Sequence, residues 1–154
     1  MFRLYSILIS AFTILSASII NIPSDYSTIQ EGINASIDGD TVLVAQGTYV
    51  ENLILEKDIV LARHAIYDEL GSDWTNNNHI VNTRIMGGSP TNSKKGSCIQ
   101  VSYGNIQPTI MGFTVSNGVG TSMIVDDCGI SRTERSGGAL SLIHISEPTR
   151  HLLI

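Results

Sequence analysis

A chain of 154 residues, 42% hydrophobic, 15% charged and 6% aromatic, with a formal net charge of −5, can bury one small core. Nine Lys and Arg against fourteen Asp and Glu leave no clustered basic footprint of the kind nucleic acid requires. The same acidic balance disfavours an anionic polysaccharide as ligand unless a cation bridges the two.

Residues 1–18 open with one positive charge, Arg3, and continue through an uncharged apolar and hydroxylic run to the small residues Ser16-Ala17-Ser18. This pattern predicts a secretory signal peptide. A retained anchor over residues 4–22 is the alternative, since that run approaches the ~20 residues that span a bilayer.

A helix follows. Ser27-Thr28-Ile29-Gln30 fits a capping box, and Ile29, Ile33 and Ile37 place an apolar stripe on one face. Gly32 lowers helix propensity, so the helix should depend on packing its stripe. Asp38-Gly39-Asp40 supplies a turn. Thr41-Val42-Leu43-Val44-Ala45 is nearly continuously apolar, which predicts a strand buried on both faces. The chain turns at 46–48, extends over 49–50 and 53–55, turns again at 56–58, and extends over 59–62. VLVA and IVLA are near-repeats about one circuit apart.

Residues 63–96 read as a long excursion rich in turn formers, with two candidate strand pieces in 79–86. Residues 97–101 alternate as a strand. Thr109-Ile110-Met111 and Phe113-Thr114-Val115 form a further pair around a bend at Gly112, with a turn at Asn117-Gly118. Residues 120–136 make a second excursion without a clear period. LSLIHISEPTR, from Leu140 to Arg150, resembles the in-frame translation of a sequencing-library adapter, so 140–154 is expected to be a non-native tail. A true strand over SLIHI is the alternative that its alternation permits.

The stretch STIQEGINASIDGDTVLVAQGTYVENLIL resembles the opening coil of secreted right-handed parallel β-helix proteins, the pectin-lyase-like superfamily. PTIMGFTVSNG at 108–118 is similar to a later coil, and Gly137-Gly138-Ala139 to the start of another. The resemblance implies an all-β fold: a right-handed parallel β-helix (solenoid) with an N-terminal amphipathic capping helix, truncated at its C-terminal end. With the signal peptide (1–18) and the tail set apart, it makes 19–139 the N-terminal part of the β-helix domain. It also implies a secreted or cell-surface module that binds polysaccharide or surface glycans or serves structurally, with no membrane span once the signal is removed. The alternative is a polysaccharide lyase or glycoside hydrolase whose catalytic coils lie beyond the fragment, and Ca²⁺ enters only there.

No residue is assigned a catalytic, carbohydrate-binding or metal role. Asp38 and Asp40 flank Gly39 as in an ordinary turn, far short of the ~6–8 oxygens that Ca²⁺ takes. Asp126-Asp127 with Arg132 and Arg135 has the acid-plus-Arg content of a lyase site, but consecutive strand residues face opposite ways, and solvated loop charges explain the cluster. His64 and His79 lack a second ligand at metal spacing. Tyr67 and Trp74 could stack a sugar or anchor a loop, and Asn76-Asn77-Asn78 is explained by turn chemistry. Cys98 and Cys128 could pair in an oxidising compartment, or sit inside the fold as small apolar groups.

Overall fold

The computed structural model describes residues 16–64, 78–102, 106–127 and 130–143. Along the chain these form β1 (Ile19–Ile22), α1 (Ile29–Ala35), β2 (Thr41–Val44), β3 (Gly47–Val50), β4 (Leu53–Leu55), β5 (Val60–Arg63), α2 (Asn78–Asn82), β6 (Thr83–Met86), a 3-10 helix (Ser93–Lys95), β7 (Ile99–Ser102), β8 (Thr109–Met111), β9 (Thr114–Ser116), β10 (Thr121–Asp127), β11 (Ile130–Ser136) and β12 (Leu140–Ile143).

Three parallel sheets carry the fold, with strand orders β1-β2-β5-β8, β3-β6-β9 and β4-β7-β12. The chain enters the first sheet, then the second, then the third, and repeats that order: β2-β3-β4, then β5-β6-β7, then β8-β9-β12. Each new strand is parallel to the strand one round earlier. The first round closes where Val60 pairs with Thr41, so both lie in one sheet.

This register stacks like on like. Ile20, Val42, Leu61 and Ile110 align across the first sheet. Tyr49, Ile85 and Val115 align across the second, and Leu53, Ile99 and Leu140 across the third. Val42, Leu61, Ile85 and Leu53 are fully buried in one core cluster with Leu55, Ile59, Cys98, Ile99 and Val101. Each such side chain contributes about 1.5–3 kcal/mol relative to exposure. As the continuous apolar pattern of β2 predicts, Val42, Leu43 and Val44 are all buried. Leu43 and its register partner Ala62 lie on the opposite face from Val42 and Leu61.

α1 packs against β1, β2 and β4. It buries Ile29, Gly32 and Ile33. A Cβ at Gly32 would lie 2.8 Å from Ile22 Cδ1 and 3.3 Å from Val42 Cγ1, so the glycine permits the close approach that its poor propensity costs. Two expectations are corrected here. The capping box sits one residue later, at Thr28 and Glu31, because Gln30 is engaged elsewhere. Ile37 lies beyond the helix end and is 48% exposed, so the stripe stops at Ile33.

Three further differences concern the excursions. Residues 78–82 are helical and only Thr83–Met86 is a strand. That strand belongs to the second sheet, so 63–96 is not a single departure from the stacked core. The second excursion is an antiparallel hairpin, β10–β11, in which local pairing of adjacent strands replaces the missing period.

Leu140–Ile143 extends the third sheet as β12, parallel to β7. Pairing reports how these residues fold, not where they originate. Residues 1–15, within the expected signal peptide, and residues 144–154 fall outside the described residues, as do Tyr67, Trp74, Asn76, Asn77 and Cys128. Among the described residues, no helix is long and apolar enough to cross a membrane.

Candidate functional site

A cluster of polar side chains joins α1 to the strands beside it. The Glu51 carboxylate, just before β4, accepts from the N–H groups of Ile29 and Gln30, both at 3.0 Å. It thereby satisfies two of the orphan donors at the helix start. At the other end Lys57 Nζ donates to the carbonyls of Ile33, Asn34 and Ser36. Negative charge at the N-terminus and positive charge at the C-terminus both match the helix dipole.

Between these charges the Gln30 amide acts as a surrogate peptide. Its Oε1 accepts from Ile54 N–H at 2.8 Å and its Nε2 donates to Ile54 C=O at 3.2 Å. β4 is the first strand of its sheet, and this side chain pairs with the edge that a preceding strand would otherwise occupy.

The acidic turn residues form a second structural set. Asp40 is 3% exposed and accepts from Ser18 N–H and Ile37 N–H, both at 2.8 Å. The Ile37 bond, then the Ser18 bond, hold its carboxyl below the ordinary range. Asp38 accepts from Asp58 N–H at 2.9 Å, and Asp58 in turn accepts from Gln107 N–H. The carboxylates thus tie one round to the next. Asn52 does the same at another corner, donating to Ser97 C=O at 2.9 Å and accepting from Gly88 N–H at 3.0 Å.

The Asp126-Asp127 cluster is not assembled by pairing. In the hairpin register Asp126 stands opposite Ser131 and Asp127 opposite Ile130, while Arg132 faces Val125 and Arg135 faces Ser122. Neither arginine is the partner of either aspartate. The hairpin packs beside the 3-10 helix through β10, so the excursions of two successive rounds lie side by side. Lys94, Lys95 and Arg135 are exposed there.

His64 is exposed, and His79 falls in α2. Among the described residues, no group of three or more His, Cys, Asp or Glu side chains gathers as a metal site. Cys98 is a free, buried thiol 3.3 Å from Ile85 O, and burial pushes its pKa up. Its burial suits a small apolar role, while Cys128 lies outside the described residues.

Sequence reasoning missed Glu51 and Asn52, to which it gave no role, and Lys57, which it read only as part of the turn at 56–58. Their common signal is position, within two residues of the three-residue strand β4. No family model, curated protein or solved structure matches this chain.

Proposed function

We propose that this chain is the N-terminal part of a right-handed parallel β-helix protein of the pectin-lyase-like kind that its opening motif resembles. It is exported to the cell exterior, where it presents glycan-binding or structural surfaces. The observation that carries this reading is connectivity: three parallel sheets entered in the same order on successive rounds. A repeated circuit with in-register apolar columns is the arrangement a solenoid requires. α1 supports the same reading, since terminal repeats need a cap with a polar outer face.

The functional half rests on where the excursions emerge. Loops on a rigid stacked scaffold are where recognition residues gather. Those at 87–98 and 117–138 both run from the second sheet to the third, one round apart, and meet through the hairpin and the 3-10 helix. The exposed Lys94, Lys95 and Arg135 are positive groups on a chain of net charge −5.

The full chain should be applied to a glycan array and, in parallel, incubated with the polysaccharides it retains. Binding without depolymerisation is the expected result. Cleavage with release of oligosaccharides would replace the module by a lyase or hydrolase. Failure to retain any glycan would remove the binding role and leave a structural one.

A further inference from the structure

Arg63 breaks the pattern of the core at one position. It ends β5 and is the register partner of Val44, which in turn pairs with Ile22. Both of those partners are apolar and buried to within 1%. Arg63 occupies the next place and is itself only 3% exposed. Its Nη1 is wholly buried and has no hydrogen-bond partner among the described residues.

The following round adapts to this side chain. Met111 pairs with Ala62, and Gly112 comes next, with φ +83. A Cβ at Gly112 would lie 2.6 Å from both Cδ and Nε of Arg63, closer than any side chain tolerates. A charge stands where the column is apolar, and a left-handed glycine beside it leaves room for the stem. Two local rules are broken at adjacent places, the kind of departure that functional or strained sites carry.

The chemistry then restricts what Arg63 recognises. A guanidinium stays charged at any ordinary pH and has donors only, so its partner must be an acceptor. Burying it unpaired is costly, and an anion with several oxygens offsets that cost by accepting in the plane of the fork. We propose that Arg63 is the receptor of a small oxyanion (sulfate, phosphate or a free carboxylate), bound at the corner between the first and second sheets. The anion ties the end of β5 to the Gly112 bend. This holds whatever the outer faces of the chain bind.

The test is thermal unfolding of the full chain in sodium sulfate against sodium chloride at matched ionic strength, for the parent, Arg63→Met and Arg63→Lys. The parent midpoint should rise by several degrees and saturate with sulfate, as binding at one site requires. Arg63→Lys should respond more weakly and Arg63→Met should show no saturable rise. A non-saturating rise common to all three is solute exclusion and not binding. In sulfate-free buffer Arg63→Met should melt at or above the parent, because a buried charge with an unpartnered Nη1 has been removed. An equal saturable response in Arg63→Met would overturn the proposal, as would no saturable response in the parent. A large loss of stability or of folding in sulfate-free Arg63→Met would also overturn it, since the guanidinium would then have a partner within the protein.

Discussion

The two ends of the stacked sheets solve one problem in different ways. At the start, α1 lies over the core, and Glu51, Lys57 and Gln30 satisfy its termini and the edge of β4. Ile29 and Ile33 are 0% and 2% exposed there. At the other end β8, β9 and β12 are the last strands of their sheets among the described residues. The core positions of that round, Ile110, Phe113 and Val115, are only partly buried, and Met111, Val119 and Leu140 are exposed hydrophobics. The lattice is the same at both ends. What differs is whether side chains close it, and this difference should set the local stability.

The sharpest way to break the comparison is Ile33→Asp, which puts a carboxylate under the lid. It should cost on the order of 4 kcal/mol, read as a collapse of the urea midpoint. A variant that melted with the parent would mean that α1 is not a packed cap. Next come matched truncations in one column. Leu61→Ala at the buried second round should cost about 2–5 kcal/mol, and Ile110→Ala at the last round roughly half as much. Equal losses would erase the distinction between the ends.

Glu51→Gln keeps the shape of the side chain but removes its charge from the start of α1. It should cost about 1–2 kcal/mol, with the loss confined to the amides of α1 in hydrogen exchange. Removal of residues 140–154 takes away β12, an edge strand, and should lower the melting midpoint by a few degrees. An unchanged curve would make the tail a passenger on β7.

The smallest expected effect concerns acid. Hydrogen bonds hold the Asp40 and Glu31 carboxyls below their ordinary values. A carboxyl lowered in the folded state contributes stability that is complete above its unfolded value, and loses it as pH falls through the folded value. Asp40→Asn should therefore show a shallower decline in unfolding midpoint than the parent between about pH 5 and about pH 2. Parallel declines would mean that the Ser18 and Ile37 bonds to Asp40 carry no linkage.

How much of this was legible follows from what each pattern encodes. Residues 41–45 announce a two-face-buried strand through composition alone, and β2 is one. Ile29 and Ile33 announce a helix face, but Ile37 has the same spacing and stays outside, because periodicity does not say where a helix stops. Gln30 was unreadable as a strand surrogate: its amide matches a peptide edge only once α1 and β4 are adjacent. Residues 78–82 carry β-branched Ile80 and Val81, yet tertiary context makes them helical. The hairpin escaped because antiparallel pairing of 121–127 with 130–136 leaves no period in a chain otherwise read for parallel rounds. The acidic candidates at 126 and 127 could not be judged from sequence, since convergence depends on register.

The measurement that bears most directly on the stacked parallel rounds is backbone nuclear Overhauser contact between β2, β5 and β8. Parallel pairing predicts amide-to-Hα contacts that set Val42 beside Leu61 and Leu61 beside Ile110. Close Hα–Hα contacts between β2 and β5, the mark of antiparallel neighbours, would contradict the account.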